Sequence, residues 1–156
     1  WPAERYAQLN DMLQADLGMN VILAESKGEA DVAAEIRGHA KVPPIDLTGL
    51  TDIAEAAALL SVADVMISND MGQAHVSAAV GTDTIVICGP TDPQLTRPFA
   101  PCVTVIRSGV ECSPCHLREC PIDHRCMTRV SADEVVAAVE NALADPIEVS
   151  DDQVTQ

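Results

Sequence analysis

Aromatic side chains are scarce in this 156-residue sequence, which has one tryptophan, one tyrosine and one phenylalanine. Its interior must be built from alanine, valine, isoleucine and leucine, a composition that suits helices packed on a parallel sheet. Basic side chains are also scarce: nine lysines and arginines stand against 24 aspartates and glutamates, for a formal net charge of -15. A field of that sign repels nucleic-acid phosphates and anionic membrane surfaces, so we expect neither as a partner.

Long apolar runs and a secretory leader are missing too. No run approaches the roughly 20 residues that span a bilayer, and the sequence has no positively charged, apolar leader. Six cysteines would indicate disulfides in a secreted chain of this size. The alanine- and valine-rich composition without a leader instead indicates the cytoplasm, where thiols stay reduced. We therefore predict a cytoplasmic protein with no membrane span.

The apolar pattern alternates between helical and strand periods. Helical spacing predicts helices over 2–17, 29–38, 52–60, 72–80 and 132–144. Short apolar runs between them predict strands over 20–24, 45–48, 64–67, 84–88 and 102–106. This alternation predicts an α/β fold, a Rossmann-like parallel sheet with helices on both faces. Residues 1–145 form one domain in this prediction, and the acidic residues 146–156 form a disordered tail.

The most informative segment runs from Ser68 to His75, where the predicted third strand gives way to a helix. Ligands of open α/β sheets bind at such strand ends, and the first N–H groups of the helix suit a diphosphate. Gly72 allows close backbone approach because it has no Cβ, and His75 is placed to donate to a phosphate oxygen. The alternative is that Asp70 only caps the helix and His75 is an ordinary, partly buried histidine. The pattern alone leaves both interpretations open.

Two more polar loops follow predicted strands. Gly89-Pro90-Thr91 offers a hydroxyl and free amides to a phosphate, although any turn needs the same residues. Glu29 follows the first predicted strand and is positioned to accept from ribose hydroxyls. It is equally a carboxylate favoured by the dipole at a helix N-terminus. Three polar loops at one edge of one sheet together predict a ligand site.

Four segments, in this order, resemble a known family. They are Trp1-Pro-Ala-Glu-Arg-Tyr-Ala, Asp46-Leu-Thr-Gly, Ser68-Asn-Asp-Met-Gly-Gln-Ala-His-Val-Ser-Ala-Ala-Val-Gly-Thr and Cys88-Gly-Pro-Thr-Asp-Pro. They resemble the ADP-heptose:lipopolysaccharide heptosyltransferases, glycosyltransferase family 9, over residues 1–141. The segment beginning Cys112-Ser-Pro-Cys is similar to the heptosyltransferase II branch in particular.

The resemblance implies a GT-B glycosyltransferase, in which two Rossmann-like domains enclose the active site. This chain matches the C-terminal domain, which holds the ADP-heptose donor. Of the residues at matching positions, Asp70, Met71, Gly72 and His75 would contact sugar and diphosphate, Glu29 the ribose, and the segment from Thr48 to Thr51 the adenine. Family members usually have serine or threonine where Met71 stands, so only the Met71 N–H remains to bind phosphate.

The same resemblance assigns the lipopolysaccharide core acceptor and the catalytic aspartate to an N-terminal domain, and a phosphate-facing lysine to a strand before Trp1. We therefore expect no catalytic residue in this chain, apart from His75 as a stabiliser of the leaving group. We expect no cofactor, because the ADP-sugar is a substrate, and no transfer by this chain alone. The alternatives are a GT-B sugar-nucleotide epimerase-like domain and a non-catalytic α/β binding module with a thiol or metal loop.

A cysteine cluster stands outside this scheme. Cys112, Cys115, Cys120 and Cys126, with two histidines between them, suit four-thiolate binding of zinc or an iron–sulfur cluster. The spacing matches no standard zinc finger, and the resemblance assigns no metal to the loop. We therefore predict no metal here, only structural thiols or an adventitious disulfide, and we predict that Cys88 and Cys102 are core residues.

Overall fold

A computed structural model describes residues 1–144; the predicted tail and the last residue of the predicted domain lie outside this range. The helices are α1 (Ala3–Asp16), α2 (Ala30–His39), α3 (Ile53–Ser61), α4 (Gly72–Ala79), α5 (Pro93–Thr96), α6 (Arg125–Thr128) and α7 (Ala132–Ala144). The strands are β1 (Ile22–Leu23), β2 (Ile45–Asp46), β3 (Val65–Asn69), β4 (Asp83–Ile87) and β5 (Val103–Ile106). A 3-10 turn, Lys27–Glu29, leads into α2.

All the strand pairs are parallel, as the alternating pattern predicts. The strands form two sheets, one of β1 and β2 and one in the order β3-β4-β5. A groove of about 350 Å³ separates β1 from β3, and its walls include Leu13 of α1 and Leu59 of α3. The parallel α/β class is therefore confirmed, with the sheet divided in two.

Helices cover both faces of the three-stranded sheet. Side chains of a strand alternate between faces, and in β4 both sets are buried. Ile85 and Ile87 belong to the main core, which also contains Val135 of α7. Val86 points the other way and shares a second core cluster with Ala74 of α4. The predicted layering is therefore confirmed.

Capping residues fix the starts of two helices. The Asp52 side chain accepts from the Glu55 N–H at 2.9 Å, and the Glu55 carboxylate accepts from the Asp52 N–H at 2.9 Å. Ser131 and Glu134 form the same reciprocal pair before α7. Each pair satisfies two N–H groups that the helix itself leaves unbonded.

The structure differs from the prediction in two added helices, in the end of β3, and in β1 and β2, which have two residues each where 20–24 and 45–48 were predicted. The sequence prediction did not include α5 and α6, four residues each, which are too short to show a helical period. Strand β3 continues to Asn69, two residues beyond the predicted end, so Ser68 belongs to the strand.

Within residues 1–144, no helix is both long and apolar enough to cross a membrane.

Candidate functional site

Asp70 joins the loops that follow β3 and β4. Its Oδ2 atom accepts a hydrogen bond from the Thr91 hydroxyl at 2.6 Å and another from the Thr96 hydroxyl. Thr91 lies in the loop after β4, and Thr96 is the last residue of α5. The N-cap of α4 is Met71, which makes no side-chain capping bond. The interpretation of Asp70 as the cap of α4 is therefore wrong, because its carboxylate is held by the neighbouring loop.

The N-terminus of α4 is open to a ligand. The helix begins at Gly72, which is exposed. Gly72 does not adopt left-handed backbone, and a Cβ built on it meets nothing within 4 Å. Neither a turn nor packing within the chain therefore requires glycine here, although alanine is the better helix former. His75 is the fourth residue of α4 and is exposed rather than partly buried.

The loops that follow β1 and β2 are also joined. The Gly49 N–H donates to the Glu25 carbonyl oxygen at 2.9 Å. Gly49 has a φ of 70°, and a Cβ there would lie 3.1 Å from Lys27 backbone. Glycine is therefore needed here both for the left-handed turn and for the close approach to Lys27. Thr51 closes this second loop and is half-buried, whereas the Leu50 side chain is 71% exposed.

Two buried polar atoms at these strand ends have no hydrogen-bond partner in the part of the chain that the structure describes. They are Oε2 of Glu25 and Oγ1 of Thr48. Burial raises the pKa of the Glu25 carboxyl, and the nearby Glu29 carboxyl raises it further. A buried polar group without a partner costs roughly 1–3 kcal/mol. The Glu25 oxygen is suited to bind a hydroxyl donor of a ligand, whereas the Thr48 hydroxyl lies beside the Asp46 carboxylate and lowers its pKa.

Glu29 lies at a helix N-terminus as a capping carboxylate, which is the second of its two expected roles. Its Oε2 atom accepts from the Ser26 hydroxyl at 2.7 Å and from the Ser26 N–H at 3.3 Å. This pair caps the 3-10 turn before α2. Glu25 is the carboxylate at the end of β1, and the sequence reasoning missed it. Its position directly after a strand was the available signal, because acidic residues at strand ends commonly bind ribose.

Gln73 connects the two sets of loops. Its side-chain amide donates to the carbonyl oxygen of Ala24 at 2.9 Å, which ties the first turn of α4 to the end of β1. Together with the Asp70 bonds, this contact brings the three predicted loops to one edge of the fold. Sequence reasoning assigned the Gln73 side chain no role, because its partner lies 49 positions away in the chain.

Asn69 ties the beginning of the chain to the same edge. Its Oδ1 atom accepts from the Trp1 main-chain nitrogen at 2.8 Å and from the Tyr6 hydroxyl at 3.1 Å. Burial raises the pKa of the Tyr6 phenol far above its usual range, so the hydroxyl stays protonated and donates. The Trp-Pro segment therefore holds the end of β3 in place, just before Asp70.

The six cysteines are free thiols. Cys88 and Cys102 are buried, as predicted. Burial raises the pKa of the Cys88 thiol to about 11, and the nearby Asp70 carboxylate adds to the rise. Cys112, Cys115, Cys120 and Cys126 line one small pocket, which also includes Pro90 of the loop after β4.

Parallel sheets with helices on both faces and polar loops at their carboxyl ends define a Rossmann-like α/β domain. Residues 1–125 match the family model for glycosyltransferase family 9 (heptosyltransferase). The chain belongs to this family.

Curated relatives carry heptosyltransferase names. The lipooligosaccharide heptosyltransferase 2 of Haemophilus influenzae Rd is 35% identical over 111 residues, which is 69% of this chain and 32% of that protein. The lipopolysaccharide heptosyltransferase 2 of Escherichia coli K12 is 30% identical over 111 residues, with the same shares of 69% and 32%. The chain thus spans about a third of the length of these relatives.

Solved structures agree with the predicted fold. Escherichia coli ADP-heptose LPS heptosyltransferase II aligns with a TM-score of 0.76 and 26% identity, over 92% of this chain and 41% of that one. A family 9 glycosyltransferase from Veillonella parvula DSM 2008 aligns with a TM-score of 0.79 and 23% identity, over 92% and 42%. The GT-B-type α/β fold and the family predicted from the sequence are confirmed.

Proposed function

We propose that this chain is the donor-binding domain of an enzyme that transfers heptose from ADP-heptose to the lipopolysaccharide inner core. The observation that carries the proposal is the heptosyltransferase family match, because residues 1–125 include every loop of the candidate site. The name of the aligned Escherichia coli enzyme includes both ADP-heptose and LPS. The whole activity belongs to the intact protein, since the matched relatives are about three times as long.

The diphosphate of the donor binds at the N-terminus of α4 in this proposal. The first N–H groups of a helix carry partial positive charge and point outward. No side chain caps this end, so the N–H groups of Gly72 and Gln73 are available to phosphate oxygens. Exposed His75 stabilises the departing ADP by donating to it, in the manner of an oxyanion-hole donor. Met71 contributes its N–H and no hydroxyl.

The nucleoside binds along the ends of β1 and β2. Glu25 accepts from ribose hydroxyls, which gives its buried carboxylate oxygen the partner it otherwise lacks. Thr48 gains a partner for its hydroxyl in the same way. The adenine lies beside the segment from Thr48 to Thr51, where the exposed Leu50 side chain offers it an apolar surface. Glu29 supports Glu25 by fixing the turn that follows it.

The sugar lies near Asp70. One carboxylate oxygen is held by Thr91 and Thr96, and the other is available to accept from heptose hydroxyls. The general base and the binding of the lipopolysaccharide acceptor are contributed by another part of the intact protein, which works in the cytoplasm. The family match favours this transferase over an epimerase-like GT-B domain or a non-catalytic binding module.

The test is heptosyl transfer by the intact protein, measured with ADP-heptose and lipopolysaccharide that lacks the accepting heptose. We expect transfer, and we expect His75→Ala to lower kcat by about 10² to 10³. His39→Ala is the matched control, because His39 is an exposed histidine on α2. Absence of transfer by the intact protein contradicts the proposal, as does an equal effect of the two substitutions.

A further inference from the structure

Four cysteines gather around one pocket that the donor site does not use. Cys112, Cys115, Cys120 and Cys126 line it, together with Pro90 and Arg125. They come from a segment between β5 and α7 that is largely without regular structure. Four thiols from 15 residues of chain (112–126) thus line one pocket.

The backbone holds this loop in a defined shape. The Cys115 and His116 N–H groups both donate to the Pro90 carbonyl oxygen, at 3.0 Å and 2.8 Å. The Ser113 hydroxyl donates to the Gly89 carbonyl oxygen at 2.6 Å. These bonds fix Cys112 and Cys115 against the loop that follows β4. A loop so small lacks an apolar core of its own, so a further crosslink would add much to its stability.

A backbone amide points at one of the sulfurs. The His124 N–H lies 3.2 Å from Sγ of Cys120. His116 and His124 both adopt left-handed backbone, with φ of 56° and 54°. Such residues turn successive N–H groups inward, an arrangement that binds anionic centres, including iron–sulfur sites. Amide-to-sulfur hydrogen bonds likewise stabilise the charge of metal-bound thiolates.

Several arginines lie in and around the same loop, beside three acidic residues. Four of the nine basic residues of this acidic chain fall within 107–129, namely Arg107, Arg118, Arg125 and Arg129. Arg125 lines the pocket itself. Four thiolates around a metal centre leave a net negative charge, which a nearby guanidinium offsets. The Arg125 guanidinium also pairs with the Asp123 carboxylate at 2.8 Å, which holds it at the edge of the pocket.

We propose that Cys112, Cys115, Cys120 and Cys126 bind a metal centre through their thiolates. A zinc ion and an iron–sulfur cluster share this ligand chemistry. Among the described residues, the only three-ligand group whose atoms lie within 4.8 Å of one another is Glu4, Glu35 and His39. The loop sulfurs are thus spaced more widely than one zinc ion holds its ligands. Binding one zinc ion would therefore draw the sulfurs closer together than they lie in this structure.

The proposed centre crosslinks the loop to the donor site. Pro90 contributes to the pocket and also accepts both loop N–H groups. The next residue, Thr91, donates to Asp70. A metal at the four cysteines therefore fixes the segment that orients Asp70, while making no contact with the donor. This replaces the sequence expectation that the thiols bind no metal.

The experiment is metal analysis of the intact protein, produced in cells supplied with iron and zinc and purified anaerobically without chelator. We expect near-stoichiometric metal. Iron with an equal amount of acid-labile sulfide and a brown colour identifies a cluster, and about one zinc ion per chain without sulfide identifies a single ion. Either result supports the centre. Protein purified without metal overturns it, as does a disulfide between two of the four cysteines in that protein.

Substitutions assign the ligands. Cys115→Ser and Cys120→Ser should each remove most of the metal, whereas Cys102→Ser should retain it, because Cys102 is a buried thiol outside the loop. X-ray absorption of the unsubstituted protein reports the ligands without relying on variants that fold. We expect an all-sulfur shell, at about 2.3 Å for zinc. A shell dominated by nitrogen or oxygen, or metal retained by both loop variants, contradicts the assignment.

Discussion

The Thr91 hydroxyl donates a 2.6 Å hydrogen bond to the Asp70 carboxylate, which links the loops after two adjacent parallel strands. The two residues are 21 positions apart in the sequence. The bond fixes where Asp70 lies relative to the start of α4, and it leaves one carboxylate oxygen free. Asp70 is therefore a held acceptor rather than a flexible surface charge.

Removing this bond should destabilise the fold. Thr91→Val leaves a half-buried carboxylate with one donor fewer, so we expect the free energy of unfolding to fall by about 1–2 kcal/mol. Asp70→Ala should cost at least as much, and the double variant less than the sum, because both changes remove the same bond. Urea unfolding of the four proteins measures the coupling. Thr104→Val, at an exposed position of β5, is the control. If the effects of the two single substitutions simply add in the double variant, the bond contributes nothing.

Gly72 should matter for the donor and not for folding. A Cβ at this position meets open space, as it does at Gly38 of α2. Gly72→Ala and Gly38→Ala should therefore both fold with unchanged or slightly raised stability, since alanine favours helix. Only Gly72→Ala should weaken ADP binding to the intact protein, by about tenfold or 1.4 kcal/mol. Calorimetry measures both the stability and the ADP affinity of each variant. Equal ADP affinities for the two variants would show that the diphosphate does not bind at this helix end.

Replacing Glu25 should raise the stability of the fold and weaken ADP binding. Burial raises the pKa of its carboxyl in the folded chain, so the folded state favours the protonated form. Ionisation of Glu25 therefore weakens the fold as pH rises above its unfolded value of about 4.3. We expect Glu25→Gln to raise the melting temperature at pH 7 and to lose this advantage near pH 4. Glu140→Gln, at an exposed position of α7, should show no such trend.

The same substitution should impair the site. If the Glu25 carboxylate accepts from ribose hydroxyls, glutamine is a weaker acceptor, because hydrogen bonds to charged groups are the stronger ones. Glu25→Gln should thus bind ADP more weakly while melting at a higher temperature. Loss of stability at pH 7, or unchanged affinity for ADP, would show that the carboxylate is structural.

The fold was largely predictable from local pattern. The period of apolar residues identified each helix of eight residues or more. The division of the strands into two sheets was not predictable, because pairing depends on which edges meet in space. Helices α5 and α6 were not predicted for another reason: each has four residues, so it spans a single turn and shows no repeat.

The site was predictable in position and less so in detail. The segment from Ser68 to His75 lies at the strand end where the alternation predicts it. Asp70 was misread as a possible cap, because capping is a local pattern whereas its real partners, Thr91 and Thr96, follow the next strand. Glu25 was missed in favour of Glu29, since both follow β1 and only the structure distinguishes the capping carboxylate from the one with a free oxygen.

The central claim is that ADP binds across the loops joined by Gln73 and Asp70. Backbone amide NMR of the isotopically labelled intact protein, titrated with ADP, tests it most directly. We predict that the largest shifts at saturation fall at Glu25, Thr48, Gly72 and Gln73, with little change in helix α7. Shifts concentrated elsewhere in the chain, or none at millimolar ADP, would contradict the account.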